Sequence, residues 1–227
     1  VVRLKILPAG QDISAQPTIV SLTREKNIIE EESAQKSVKV VKGDDGKDYK
    51  VGIITLPKFY IDFAAARKGD PNYKSTTRDV RLILDSLKAE NVDAVLLDLR
   101  NNGGGSLQEA IELTGLFIDK GPVVQVRQVN NKIEVESDKE AGVKWDGPFG
   151  VIINRFSASA SEIFAGAIQD YGRGVILGST TFGKGTVQSA VEMERFISPT
   201  NQILLKASKS EDDADTPEGA PEYGQIN

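Results

Sequence analysis

Residues 94–105 read Ala94-Val95-Leu96-Leu97-Asp98-Leu99-Arg100-Asn101-Asn102-Gly103-Gly104-Gly105. A short, continuous apolar run is the pattern of a strand covered on both faces, as in parallel sheets. Here it stops at a polar, glycine-rich loop, beyond which Leu107, Ala110, Ile111 and Phe117 predict a helix with a buried side. Upstream, Val80, Ile83, Leu84 and Leu87 recur with the spacing of one helix face. Thr76, with Asp79 three residues on, resembles a capping box that opens that helix. Downstream the order repeats. Residues 149–153 form a buried strand, Ala160, Ile163, Phe164, Ala167, Ile168 and Tyr171 mark a helix, and residues 175–177 form another buried strand. Repeated strand–loop–helix units predict an α/β core with parallel β strands and flanking helices.

Towards the N-terminus the period shortens. Residues 1–7 alternate around Val2, Leu4 and Ile6, a half-buried strand that ends at Pro8-Ala9-Gly10. Residues 18–23 and 37–41 are strand-like, and Gly43-Asp44-Asp45-Gly46 is a hairpin turn into residues 49–56.

Composition narrows the chemistry. The chain has 227 residues with 28 basic and 33 acidic side chains, a net charge of −5 spread along its length. That is not the clustered basic face of a nucleic-acid binder. The acidic run Glu211, Asp212, Asp213 and Asp215 reads as a solvated loop. No apolar run approaches the roughly 18 residues of a transmembrane helix, and no signal peptide opens the chain. Histidine and cysteine are both absent. Thiol peptidases, Ser-His-Asp hydrolases and the usual zinc sites are thereby excluded. Hydrolysis would need Ser, Thr, Lys or a carboxylate as nucleophile and Lys, Tyr or a carboxylate as base. No cofactor or metal is implied.

In open α/β sheets, sites gather at the loops after the carboxyl ends of the strands. Three loops qualify. In Phe156-Ser157-Ala158-Ser159-Ala160-Ser161-Glu162, a serine hydroxyl can stand at the sheet edge while N–H groups of the following helix face an anion. Any of the three serines fits, and so does an ordinary N-cap loop. Gly103-Gly104-Gly105 lets a carbonyl approach backbone amides. In Thr181-Phe182-Gly183-Lys184-Gly185-Thr186-Val187-Gln188, a lysine drawn into a partly apolar site would have its ammonium disfavoured by burial. Gln188 could hold the amine in line. That lysine is the base a histidine-free chain needs.

Together these motifs resemble the C-terminal processing, or tail-specific, proteases. These are Ser-Lys peptidases of the S41 type, whose fold is related to the ClpP/crotonase group. The resemblance is strongest over residues 51–188 and implies Ser159 as nucleophile, Lys184 as base and Gln188 as the orienting third member. It implies an oxyanion hole built from the backbone N–H of Ala160 and of Gly104 or Gly105, with Glu162, Asp170 and Thr181 supporting. It further implies that residues 1–10 are the C-terminal remnant of a preceding PDZ domain, with its last strand at residues 1–7, and residues 11–50 a β-rich connection. Residues 51–227 would then be a peptidase core that is truncated at its C-terminus, with residues 208–222 a flexible connection to the part beyond. The implied substrates are proteins or peptides with exposed C-termini, the implied compartment is the bacterial periplasm, and an adaptor is conceivable.

Two rivals remain. Gly178-Ser179-Thr180-Thr181-Phe182-Gly183-Lys184 matches a P-loop spacing, yet Gly185 stands where the magnesium-binding Ser or Thr belongs. A non-catalytic peptide-binding relative would use the same cleft without turnover.

Overall fold

A computed structural model describes residues 2–7, 9–12, 14–23, 32–188, 191–192, 196, 198 and 225–226. It divides into two units, Val1–Glu31 and Glu32–Asn227. Pro8, the acidic run at Glu211, Asp212, Asp213 and Asp215, and the connection at residues 208–222 lie outside the described residues.

In the first unit, β1 (Val2–Ile6) pairs antiparallel with β2 (Thr18–Leu22). The half-buried face expected of the first strand is not found, because Val2, Leu4 and Ile6 are all exposed. Among the described residues of this unit, the two-stranded ribbon supplies no second layer to cover them.

The second unit is built on a five-stranded sheet. Gly43 and Gly46 close the turn between β3 (Gln35–Lys42) and β4 (Asp48–Thr55), which pair antiparallel along their full lengths. A short helix, α1 (Phe63–Arg67), follows, and α2 (Thr76–Ala89) leads into β5 (Ala94–Asp98), parallel to β4. After α3 (Leu107–Gly115), a hairpin of β6 (Gly121–Arg127) and β7 (Ile133–Asp138) precedes β8 (Phe149–Ile153). Helix α4 (Ala160–Asp170) then returns the chain to β9 (Val175–Gly178), and β8 and β9 extend the parallel run. A last pair joins β10 (Val191–Glu192) to β11 (Gln225–Ile226).

Helix α3 packs between α2 and α4 on one side of the sheet. Val80, Leu84 and Leu87 of α2, Leu113 of α3, and Phe164 and Ile168 of α4 are fully buried with Ile54, Val95 and Leu97 of the sheet. Phe117, just past α3, stacks on Phe149 with ring centroids 4.1 Å apart. Two expectations are corrected. The cap of α2 is Ser75, whose side chain accepts from Arg78 N–H, because the Thr76 hydroxyl is already bonded to the Tyr60 backbone. Residues 175–177 are not a buried strand, since β9 lies at the sheet's end with Val175 and Leu177 exposed. The parallel order brings the carboxyl ends of β5, β8 and β9 side by side, so the three candidate loops emerge together.

Candidate active site

The serine loop leaves β8 through Asn154 and turns sharply into α4. Ser157 and Ser161 are fully buried, and their hydroxyls donate to Leu99 O (2.8 Å) and Asn102 O (3.0 Å). Both are spent on stitching this loop to the one after β5. Ser159 stands at the N-cap of α4 with φ +56° and ψ −115°. A non-glycine residue in that region is strained, and such strain concentrates at functional sites. The turn projects Ser159 towards the cleft while the N–H of Ala160 opens the helix behind it.

The glycine loop lies against this turn. A Cβ on Gly104 (φ +103°) would sit 2.8 Å from both Ser159 Cβ and Ala158 O, so only glycine allows the approach. On Gly105 (φ +144°) a Cβ would meet Phe59 O at 2.1 Å. Phe59 brackets the segment, its N–H donating to Gly104 O and its carbonyl accepting from Ser106 N–H, both at 3.0 Å. Gly104 N–H donates to Asn102 Oδ1 at 2.9 Å. Of the two candidate glycines, Gly104 therefore has its N–H engaged, whereas Gly105 N–H makes no hydrogen bond among the described residues. Asn101 and Asn154 add a reciprocal bridge at the rim, with Asn101 N–H donating to Asn154 Oδ1 and Asn154 Nδ2 to Asn101 Oδ1.

The lysine loop runs past the same helix end. Phe182 N–H donates to Ser157 O at 3.0 Å. The Glu162 carboxylate, in the first turn of α4, accepts from Ser159 N–H (2.8 Å), Gly183 N–H (2.7 Å) and Lys184 N–H (2.9 Å). Burial pushes this carboxyl up, but the Thr181 hydroxyl and those three N–H groups outweigh it and hold it below the usual carboxylate range. Lys184 Nζ donates to Gln188 Oε1 at 3.1 Å. One expectation fails here. Lys184 is exposed, as is Phe182, although Phe63, Leu107, Ile163 and Val187 line the same cleft. Among the described residues, the loop follows the strand at the end of the sheet.

A cleft of about 460 Å³ joins these parts; Gly105, Ser159, Ala160, Lys184 and Gln188 line it together with Phe63 of α1. Asp170 is not brought in. It ends α4, roughly 15 Å along the axis from Ala160 at 1.5 Å per residue, and lines a separate hollow with Pro122 and Tyr171. The P-loop reading also fails, because residues 179–188 form no helix to receive a phosphate. Sequence reasoning missed Asn102, although it lies inside the quoted run at 94–105, and Asn154, two residues before the quoted serine loop. It also missed Phe63, whose helix has only Asp62 as its capping signal.

Residues 50–212 match the model of peptidase family S41. The chain is 43% identical over 189 residues to the tail-specific protease of Haemophilus influenzae, covering 83% of this chain and 24% of that protein. It is 31% identical over 176 residues to the chloroplastic carboxyl-terminal-processing peptidase 2 of Arabidopsis thaliana, covering 77% and 31% respectively. The chain thus spans about a quarter to a third of the length of these curated relatives. Among solved structures, a photosystem II D1 C-terminal processing protease aligns with TM-score 0.59 at 27% identity, covering 79% of this chain and 44% of that one. The α/β fold with its mixed sheet is that of S41 protease structures.

Proposed function

The chain belongs to peptidase family S41, and from that premise we propose that it carries the catalytic core of a serine endopeptidase with a Ser159–Lys184 pair. Lys184 Nζ takes the proton of Ser159 Oγ, and Oγ attacks the scissile carbonyl carbon. The oxyanion is received by the N–H groups of Ala160 and Gly105. Lys184 then gives its proton to the leaving amine, and water releases the acyl-enzyme by the same steps. Gln188 holds the amine through the 3.1 Å bond, while Glu162 and Thr181 hold the backbone that carries it.

One observation carries the reading. Of three serines in one loop, two are buried in backbone hydrogen bonds, and the third lines a cleft with the lysine and the glycine loop. On this reading the fold is ClpP/crotonase-like, and residues 1–10 close a PDZ domain. Residues 11–50 connect that domain to the core at 51–227 and contribute β3 to its sheet. Substrates are proteins recognised by their C-terminal tails, an inference supported by the names of the relatives. The bacterial relative favours the periplasm, and no described helix is long and apolar enough to cross a membrane. Turnover of an unfolded protein by the full chain is the test. Ser159→Ala and Lys184→Ala are each expected to lower kcat by about 10⁴-fold or more, and substantial cleavage by either variant would refute the assignment.

A further inference from the structure

Asn102 is fully buried between the glycine loop and the serine loop, and each of its polar groups is engaged. Its Nδ2 donates to Leu56 O (2.8 Å), where the chain leaves β4, and its Oδ1 accepts from Gly104 N–H (2.9 Å). Its backbone N–H donates to Leu99 O, and its backbone carbonyl accepts from Ala158 N–H (3.0 Å) and Ser161 Oγ (3.0 Å). One side chain therefore ties the end of one strand to the peptide before Gly104, while its main chain ties the turn that presents Ser159.

The consequence is directional. The Gly104–Gly105 peptide is planar and trans, so its N–H points opposite to its C=O. That C=O is bonded to Phe59 N–H at 3.0 Å, which turns Gly105 N–H away from Phe59. Gly105 lines the cleft with Ser159 and Ala160. Glycine at positive φ rotates easily, and Phe59 alone bonds only one end of this peptide. Asn102 Oδ1 fixes the preceding N–H, so Gly104 is held on both sides.

Resting on the serine peptidase reading, we propose that Asn102 is a positioning residue: its side chain locks the Gly104–Gly105 peptide with Gly105 N–H facing the oxyanion. It never touches substrate, and its effect belongs to the transition state.

The test compares Asn102→Ala with Asn102→Ser in the full chain. A serine hydroxyl can accept from the N–H two residues on, as Asn does, but more weakly. Steady-state kinetics on a fluorogenic peptide are combined with inhibition by a peptide aldehyde, which forms an oxyanion at the serine. In Asn102→Ala, kcat should fall about 10²–10³-fold, the loss measured for single oxyanion donors, with KM little changed and aldehyde affinity falling in parallel. Asn102→Ser should recover at least about tenfold of that loss. A folded Asn102→Ala variant with parental aldehyde affinity, or one no worse than Asn102→Ser, would overturn the proposal. If Asn102→Ala does not fold, Asn102→Ser carries the test: lowered kcat at unchanged KM supports the role, and unaltered kcat refutes it. Fluorophosphonate labelling of the parent separates the two layers. A labelled parent with an unaffected Asn102→Ala removes only the role of Asn102, whereas an unlabelled, inactive parent removes the peptidase reading beneath it.

Discussion

The serine and glycine loops differ sharply from the lysine loop that faces them. The first two are interlocked, with Ser157, Ser161 and Asn102 buried and bonded across the loops. The lysine loop is exposed from Phe182 to Gln188 and is fastened at its near end by Ser157 O and the Glu162 carboxylate. Past Lys184, its bond to Gln188 is local to the loop. On the proposed reading, nucleophile and oxyanion donors are thus set by the fold itself, as electrostatic preorganisation requires. On that reading the base is positioned through the loop's anchors at Ser157 O and at the Glu162 carboxylate on the nucleophile's own helix. Changes in the interlocked half should act on the transition state, and changes in the tether should act on placement of the base.

The largest effect expected from this contrast is at Gly104. Alanine there would press its Cβ to 2.8 Å from Ser159 Cβ and Ala158 O at a φ of +103°. Strain of about 1–3 kcal/mol should appear as a lower melting temperature, with kcat reduced about 10²–10³-fold. A Gly104→Ala variant with parental kcat would show that the glycine loop is not part of the site.

An intermediate effect is expected at Glu162. Glu162→Gln keeps the size but weakens three charge-assisted bonds, and misplacing Lys184 should lower kcat by about 10–100-fold. The pH dependence follows from the depressed carboxyl. Its stabilising contribution is complete above the unfolded value of about 4.3 and is lost as pH falls through the lower folded value. Melting curves of parent and Glu162→Gln should therefore differ by a constant amount above about pH 5 and converge in stronger acid. A gap that widens in acid would contradict the assigned network.

The smallest effect is expected at Asp170. Exposed at the far end of α4, Asp170→Asn should change stability by no more than about 0.5 kcal/mol and leave turnover as it was. A large loss of kcat there would tie the site to a part of the molecule that the structure separates from it.

The parts that were legible in the sequence are those written in local pattern. The run at residues 94–99 and the stripe Val80, Leu84, Leu87 specify a strand and a helix without reference to anything distant, and both are found. The choice among three serines is not local. Ser157 and Ser161 are identified by acceptors 58 and 59 residues upstream, and Asn102 by a carbonyl 46 residues upstream. The cap of α2 fell between two adjacent hydroxyls, and only the tertiary bond of Thr76 to Tyr60 decides between them. The β6–β7 hairpin did carry a readable signal, since Val124, Val126, Ile133 and Val135 alternate about Asn130-Asn131 with Asn131 at φ +64°. Exposure of Lys184 was the hardest to foresee, because flanking glycines and a phenylalanine fit a surface loop as well as an apolar pocket.

The most direct measurement is labelling of the full chain with a serine-reactive fluorophosphonate at rising pH, followed by peptide mapping. Modification confined to Ser159, increasing with pH and lost in Lys184→Ala, is the predicted result. Labelling at Ser157 or Ser161, or labelling of Ser159 that persists without Lys184, would contradict a Ser-Lys pair.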